Sequence, residues 1–200
     1  MATLPLTPMT ELDAVNVLLM SIGQSPVNTI EVSGIRDVEI AKLHVHNVSR
    51  SVQNNDWSFN TDLNVEMTRD LNDHILVPAN ALSIDPSDPF MDVVPRTDSS
   101  DGNVQKLWDR LENTFEFAED ITADISYFLP FEDIPQAARD YITMRAARRF
   151  QAASIGSQIL YYFTKEEEDE ARAALISYET RQGDDNFLNS FHARQFHKGR

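Results

Sequence analysis

The apolar residues of this chain change their spacing twice along the sequence. Towards both ends they recur every three or four residues, as in helices with one buried face, whereas residues 61–129 carry short β-type runs separated by turn-rich clusters. Helical periodicity on both sides of a β-type segment predicts a mainly α (α+β) fold. We expect a helical bundle core of about four helices with a small inserted antiparallel β region.

Two segments in the first quarter of the chain have the spacing of amphipathic helices. The first covers residues 11–22, where Thr10 is placed to cap the N-terminus. The second covers residues 36–54 and has a stripe of valine and alanine side chains. Ile40 and Leu43 lie off this stripe, which leaves two interpretations open: a helix buried on two faces, or a helix shared with a neighbouring subunit.

Two further helices are predicted after the β-type segment. One covers residues 135–153 and begins with a proline, which suits the first helical position. The other covers residues 165–182, and Thr164 with Glu167 predicts a capping box at its start. The acidic run 166–170 would then lie at the positive end of the helix dipole. The apolar stripe of the 135–153 helix consists of Ala138, Ile142, Ala146, Phe150 and Ala153.

The remaining organisation follows from turn signals and caps. Within the β-rich insert of residues 61–129, clusters such as DPSDP at 85–89 separate short strand candidates. These candidates are Asn64–Met67, Ile75–Val77, Val104–Trp108, Thr114–Phe117 and Ile121–Phe128. We expect residues 1–183 to form a single domain. Residues 184–200 have no helix cap and are predicted to form an extended C-terminal arm.

The acidic balance of the chain narrows its classes of function. There are 32 Asp and Glu against 17 Lys and Arg, which gives a net charge of −15. Because phosphate binding needs clustered Lys and Arg, a protein that grips nucleic acid over a broad surface is disfavoured. The chain has no cysteine, which excludes disulfides and thiolate chemistry. It shows neither a signal peptide nor a membrane-spanning stretch, so we expect synthesis in the cytoplasm and no membrane insertion.

Residues with catalytic or metal-binding chemistry are abundant, but they do not form known patterns. The five histidines lack the spacing of metal ligands, and no cofactor-binding sequence is present, so we expect neither a metal nor a cofactor. Paired carboxylates leave one enzymatic alternative open, the hydrolysis of a glycosidic bond. The candidate acids are Glu116, Glu119, Asp120, Glu132 and Asp133. We expect that the protein is not an enzyme.

Charged side chains on the last two predicted helices form the first candidate contact. The basic members are Arg139, Arg145, Arg148 and Arg149, and the acidic members begin with Glu166, Glu167 and Glu168. Two interpretations stay open: ion pairs within one chain, or contacts between the arginines and the acidic run of an adjacent copy.

The C-terminal arm is the second candidate contact. It combines large aromatic side chains with basic ones, a composition that protein interfaces favour. The residues that we expect to dock onto a partner are Phe187, Phe191, Arg194 and Phe196.

Four segments, in the same order along the chain, resemble one known family. They are AVNVLLMSIGQSPVNTI (14–30), NNDWSFN (54–60), LPFEDIPQAARDYITMRAARRFQ (129–151) and KEEEDEARAALISYE (165–179). The sequence is similar to the tail tubular protein A family, the head-to-tail adaptors of short-tailed podophages. The resemblance is weakest in residues 61–115, so no residue role is carried over there.

The resemblance implies a structural protein of the virion tail, without a cofactor or catalytic residue. In the family, twelve copies form a ring that joins the portal protein to the tail nozzle, tail tubular protein B, and contributes to the seat of the tail fibre. Genomic DNA crosses the ring during ejection. The alternative is a carboxylate-based glycoside hydrolase acting on a host surface polysaccharide.

Two mechanistic expectations combine the resemblance with the residues. We expect the arm at 184–200 to reach a neighbouring component, in the first place the portal. The reason is that this chain carries an aromatic and basic arm on an acidic body. If the excess acid faces the channel, like-charge repulsion would let DNA pass without tight binding.

Overall fold

The chain folds into two compact units, a helical unit and a β unit. The helical unit comprises residues 1–52 with 130–200, and the β unit comprises residues 53–129. The computed structural model describes residues 7–31, 34–99, 101–102, 104–154 and 158–182, with only the backbone of 158–164. Helices and small antiparallel sheets occur together, which confirms the α+β fold class.

Helix α1 spans Glu11–Ser21 and begins as its sequence predicts. The Thr10 hydroxyl accepts a hydrogen bond from the backbone N–H of Asp13 at 3.2 Å. In return, the Asp13 carboxylate accepts one from the backbone N–H of Thr10 at 2.9 Å. This reciprocal capping box satisfies N–H groups that the helix geometry leaves without a partner. The buried face consists of Ala14, Val15, Leu18 and Leu19.

Helix α2 spans Arg36–Gln53, close to the predicted range. Its buried stripe consists of Val38, Ala41, Val45, Val48 and Val52. Leu43, which lies off this stripe, is exposed, and Ile40 is partly buried. A contact between this side of α2 and a neighbouring subunit therefore stays a prediction.

Helix α3 spans Gln136–Ser154 and packs against α1 and against helix α4, which spans Gln158–Gln182. Most of its predicted stripe is buried, and the alanines in that stripe let neighbouring helices approach closely. Ala153, in the last turn, is exposed and lies outside the buried stripe. The fully buried members are Ala138, Ile142, Ala146 and Phe150.

The start of α4 corrects the sequence prediction. The helix begins at Gln158 rather than at Lys165, so Thr164 is an interior helical residue and not an N-cap. A helix that has formed gains a backbone hydrogen bond for each residue that it adds, which outweighs the preference of one threonine for a capping position. The acidic run 166–170 therefore lies beyond the first turn, where the helix dipole has little effect.

Antiparallel strands form two small sheets in the described part of the β unit. The strands are β1 (Thr61–Met67), β2 (Ala81–Pro86), β3 (Val93–Asp98), β4 (Val104–Asp109) and β5 (Ile121–Tyr127). Strand β5 lies between β1 and β2, and β3 pairs with β4. Ile121, Ala123 and Ile125 are buried at alternate positions of β5, as the predicted alternation requires.

Two predicted strands are wrong, and two observed strands were not predicted. Residues Ile75–Val77 and Thr114–Phe117 form isolated bridges instead of strands. Strand β2 is partly buried along most of its length, so its sequence shows no alternation. Strand β3 contains Pro95, which cannot donate a ladder hydrogen bond and lowers the strand signal of its segment.

The two ends of the β unit are tied together by buried amide side chains. Gln53 donates to the carbonyl of Leu129 at 3.0 Å and accepts from the N–H of Leu129 at 2.8 Å. The side-chain amide of Asn60 donates to the carbonyls of Gln53 and Tyr127. The chain thus begins and ends this unit at one place, as an inserted segment does.

Candidate functional site

Part of the predicted charge contact between α3 and α4 forms within one chain. The Nε atom of Arg148 donates to the carboxylate of Glu168, and the Nε atom of Arg145 lies 3.9 Å from the same carboxylate. Glu168 is almost completely buried. Arg145 also donates to the hydroxyl of Tyr141 at 3.2 Å. For Glu168 and its two arginines, the structure favours ion pairing inside the fold.

Other members of the predicted contact remain on the surface. Arg149 on α3 is exposed, and so are Glu166 and Glu167 on α4. Burial lowers the pKa of His44 below its ordinary value of 6.5, and the charge of Arg149 adds to this effect. These three exposed side chains stay candidates for a contact between copies.

Arg139, the fourth member of the basic cluster, stabilises the fold by bonding backbone carbonyls. Its guanidinium is buried and donates to backbone carbonyls: that of Ile134 at 2.8 Å, that of Met9 at 2.7 Å, and that of Glu132. These bonds hold the segment before α1 against the start of α3. Charged hydrogen bonds of this kind stabilise a fold more than neutral ones do.

The predicted docking residues of the arm lie outside the described residues. Phe187, Phe191, Arg194 and Phe196 all follow the end of α4 at Gln182. Their role as anchors therefore stays a prediction that rests on the sequence alone.

Most of the net negative charge belongs to the β unit. Its sequence has 16 Asp and Glu against 4 Lys and Arg, whereas the helical unit has 16 against 13. The β unit therefore accounts for −12 of the net charge of −15. The overall acidity of the chain is a property of one unit.

One of the few cations of the β unit is buried. Lys106 is fully buried, and its Nζ donates to Asp98 Oδ2 at 3.0 Å, to Asp101 Oδ2 at 2.7 Å and to His74 Nδ1 at 2.9 Å. The bond to Asp101 is the largest cause that raises the pKa of Lys106, and the bond to Asp98 adds to it. An ammonium group has three N–H donors. Since each has an acceptor here, Lys106 is a structural cation.

Large apolar side chains stand on ordered turns of the β unit, and sequence reasoning missed them. Leu71 is fully exposed on a turn in which Asp70 Oδ1 accepts the backbone N–H groups of Asn72 and His74. Two further examples are Phe90 and Leu111, each beside an aspartate that accepts a backbone N–H. The signal in the sequence is a single apolar residue inside an aspartate-rich turn, as in RDLND and SDPFMD.

Two of the candidate acids for glycoside hydrolysis, Glu132 and Asp120, have partners within the fold. The Glu132 carboxylate accepts from the backbone N–H of Glu11 at 3.1 Å. Asp120 accepts from the backbone N–H of Arg69, and this bond, with the guanidinium of Arg69, lowers the pKa of Asp120. A general acid in a glycosidase needs a raised pKa. Asp120 therefore lacks the property that the general acid of this reaction requires.

The described residues provide neither a metal site nor a membrane-spanning helix. Among the residues that the structure describes, no cluster of three or more acidic or histidine side chains is arranged to hold a metal ion. No described helix is both long enough and apolar enough to cross a membrane.

Residues 12–185 match the family model of tail tubular proteins. No curated protein matches the chain. The matched range includes the whole β unit and the four helices of the described residues, apart from Glu11 at the start of α1. The chain therefore belongs to the tail tubular protein family and is a structural component of a virion tail.

Proposed function

We propose that this protein is a head-to-tail adaptor: a ring, of twelve copies, that joins the portal to the tubular nozzle and forms part of the channel for DNA ejection. The observation that carries the proposal is the tail tubular family match over residues 12–185. The helices of the helical unit would form the bundle at the core of each subunit. The outer side of the ring would contribute to the seat of the tail fibre.

The contact between copies would use charges that the fold leaves on its surface. Glu168 is already neutralised by arginines of its own chain. The exposed residues Arg149, Glu166 and Glu167 remain for a neighbour, with arginine on one copy facing glutamate on the next. This assignment removes Arg145, Arg148 and Glu168 from the contact between copies that the sequence suggests.

The channel would be acidic enough for DNA to slide without being held. The β unit supplies the charge for this, because it carries −12. Like charges repel DNA only within a Debye length, about 8 Å at physiological salt. The acidic groups that matter are therefore those closest to the DNA path.

Native mass spectrometry of the full chain with purified portal rings tests the proposal. Twelve bound copies of the 22.7 kDa chain would add about 270 kDa to the portal. A portal that gains no mass over a wide range of chain concentrations would contradict the adaptor role.

Charge reversal tests the contact between copies. We expect Arg149→Glu, or Glu166→Arg with Glu167→Arg, to reduce the number of copies bound, and the combination of all three to restore it. Arg172→Glu, an exposed arginine on α4 with the same change of charge, is the matched control. If the Arg149→Glu variant and the variant with both glutamates reversed assemble like the natural chain, this interface is wrong.

The hydrolase alternative has its own test. Purified host polysaccharide is incubated with the chain and with Glu132→Gln and Asp133→Asn variants. We expect no release of sugar from any of them. Release that the natural chain performs and the variants do not would favour the enzyme.

A further inference from the structure

An open groove with a volume of about 360 Å³ lies in the β unit, beside strand β1 and the segment 68–78. Its apolar lining is formed by Val65, Met67, Leu76, Pro78, Ile125 and Tyr127. Met67 and Ile125 belong to the buried core, whereas Leu76 is 51% exposed. Ligand clefts in proteins have about 300–1,000 Å³. This groove suits one or two side chains of a peptide rather than a folded domain.

The rim of the groove is negative. It carries Glu66 and Asp70 together with one cation, Arg69. Arg69 is already engaged, because its guanidinium bonds Asp73 at 2.9 Å and Asp120 at 3.3 Å. The charge that remains for a ligand therefore comes from the carboxylates, which favour a basic partner.

The turn next to the groove is ordered and presents an apolar tip. The Asp70 carboxylate accepts backbone N–H groups at 2.8 and 2.9 Å, and the guanidinium of Arg69 donates to the carbonyl of Phe117 at 3.0 Å. Leu71, at the tip, is fully exposed. A surface held in place before binding loses little conformational entropy when a partner docks.

One stretch of this protein has the complementary chemistry. Residues 186–200 contain three Phe and one Leu, three Lys or Arg, and no Asp or Glu. The stretch follows α4, which ends at Gln182. Fifteen extended residues reach about 50 Å, so the stretch is long enough to leave its own subunit.

We propose that the groove lined by Leu76 binds residues 186–200 of a neighbouring copy. A phenylalanine ring occupies the apolar floor, and the Arg and Lys side chains that follow lie against Glu66 and Asp70. The exchange of arms links adjacent copies of the ring, so this inference rests on the proposed adaptor function. The arm thus contacts a second copy, instead of the portal that the sequence favours.

Photo-crosslinking in the full chain tests this contact. The photoreactive analogue p-benzoyl-phenylalanine replaces Phe191, and copies labelled with ¹⁴N and ¹⁵N are mixed with and without portal rings. We expect crosslinks of mixed isotope composition between position 191 and the segment 65–78. The yield should fall with rising salt, because screening weakens the charged contacts.

Two matched leucines supply the control. Leu76 is 51% exposed in the groove, and Leu111 is 61% exposed elsewhere in the same unit. We expect Leu76→Glu to reduce the crosslink yield at least tenfold and Leu111→Glu to leave it within twofold. Tryptophan fluorescence and circular dichroism check that both variants are folded.

Several results would overturn the groove contact. They are crosslinks from position 191 to the portal or to another surface, crosslinks within one copy, no crosslinks in either mixture, or equal yields for the two leucine variants. The adaptor function is judged separately by the mass added to the portal. A portal that gains twelve copies while the groove crosslinks are absent leaves the adaptor intact and removes the groove contact.

Discussion

The two units of this chain handle charge in different ways. The helical unit has nearly balanced charges. Its buried Arg139 donates to backbone carbonyls of the unit, and its partly buried Arg148 pairs with Glu168. The β unit has four acidic side chains for each basic one, and one of its four cations is buried. The helical unit therefore supplies internal partners for these cations, whereas the β unit presents negative charge that only partners outside the unit can neutralise.

The two units can be followed independently, which makes the comparison testable. Both tryptophans, Trp57 and Trp108, belong to the β unit. Tryptophan fluorescence therefore reports the unfolding of the β unit, and the helical signal in circular dichroism reports the helical unit.

Replacing Lys106 should have the largest effect. The Lys106→Met variant leaves Asp98, which is buried, without its cation, and unpaired buried charges are strongly destabilising. We expect the fluorescence-detected melting temperature to fall by about 10 °C, with a smaller change in circular dichroism. Arg110→Met, which removes an exposed pair with Asp92, should change it by less than about 2 °C. Equal shifts for both variants would contradict a structural role for Lys106.

Arg139→Met should destabilise the helical unit more than the β unit, the reverse of the effect of Lys106→Met. The variant removes the donors of the carbonyls of Met9, Ile134 and Glu132, and a buried acceptor without a partner is costly. We expect a loss of about 2 kcal/mol in the free energy of unfolding seen by circular dichroism. Fluorescence should change little. Arg172→Met, on the surface of α4, is the control and should lie within about 0.5 kcal/mol of the natural chain.

Glu168→Gln separates pairing within a chain from pairing between copies. Because Glu168 contacts Arg145 and Arg148 of its own chain, we expect the isolated protein to lose about 1 kcal/mol in urea unfolding. The exposed neighbour Glu167→Gln should leave the stability unchanged but weaken ring assembly. If both variants leave the isolated chain unaffected, the internal pair contributes nothing to stability.

The smallest effect is a difference in pH response. Folding lowers the pKa of His44 below 6.5, so the unfolded chain binds the proton more readily than the folded one. His44 therefore costs no stability well above pH 6.5, and the free energy of unfolding of the helical unit decreases as the pH falls below this value. The pKa values of Asp70 and Asp120 are lowered below 3.8, so their contribution to the β unit is complete above 3.8 and declines below it. Chemical unfolding between pH 7 and pH 3, followed by both signals, should show the helical unit weakening first.

His44→Gln supplies the check on this difference. We expect this variant to flatten the response of the helical unit between pH 7 and pH 5. A matched His46→Gln variant, in which the histidine is exposed, should not. Identical profiles for the two variants would remove His44 as the cause.

The sequence predicted those features that depend on neighbouring residues. The N-cap at Thr10 and the buried stripe of α2 follow from local spacing, and both are observed. The beginning of α4 was missed because helix propagation outweighed the local cap at Thr164. The partner of Glu168 stayed undecided because a contact within a chain and one between copies use the same residue types.

The β unit was harder to predict because its strands are short and three of them, β1, β2 and β3, show no regular alternation of buried and exposed residues. Its exposed leucines were missed because single apolar residues in turns carry no periodic signal. The concentration of net negative charge in this unit could not be predicted, because the charges can be assigned to a unit only when its bounds are known. The structure supplies those bounds.

Electron microscopy of particles from a virus that lacks this gene tests the central claim most directly. The adaptor role predicts DNA-filled heads without tails, and normal particles when the natural chain is supplied from a plasmid. Particles with complete tails in the absence of the protein would contradict the account.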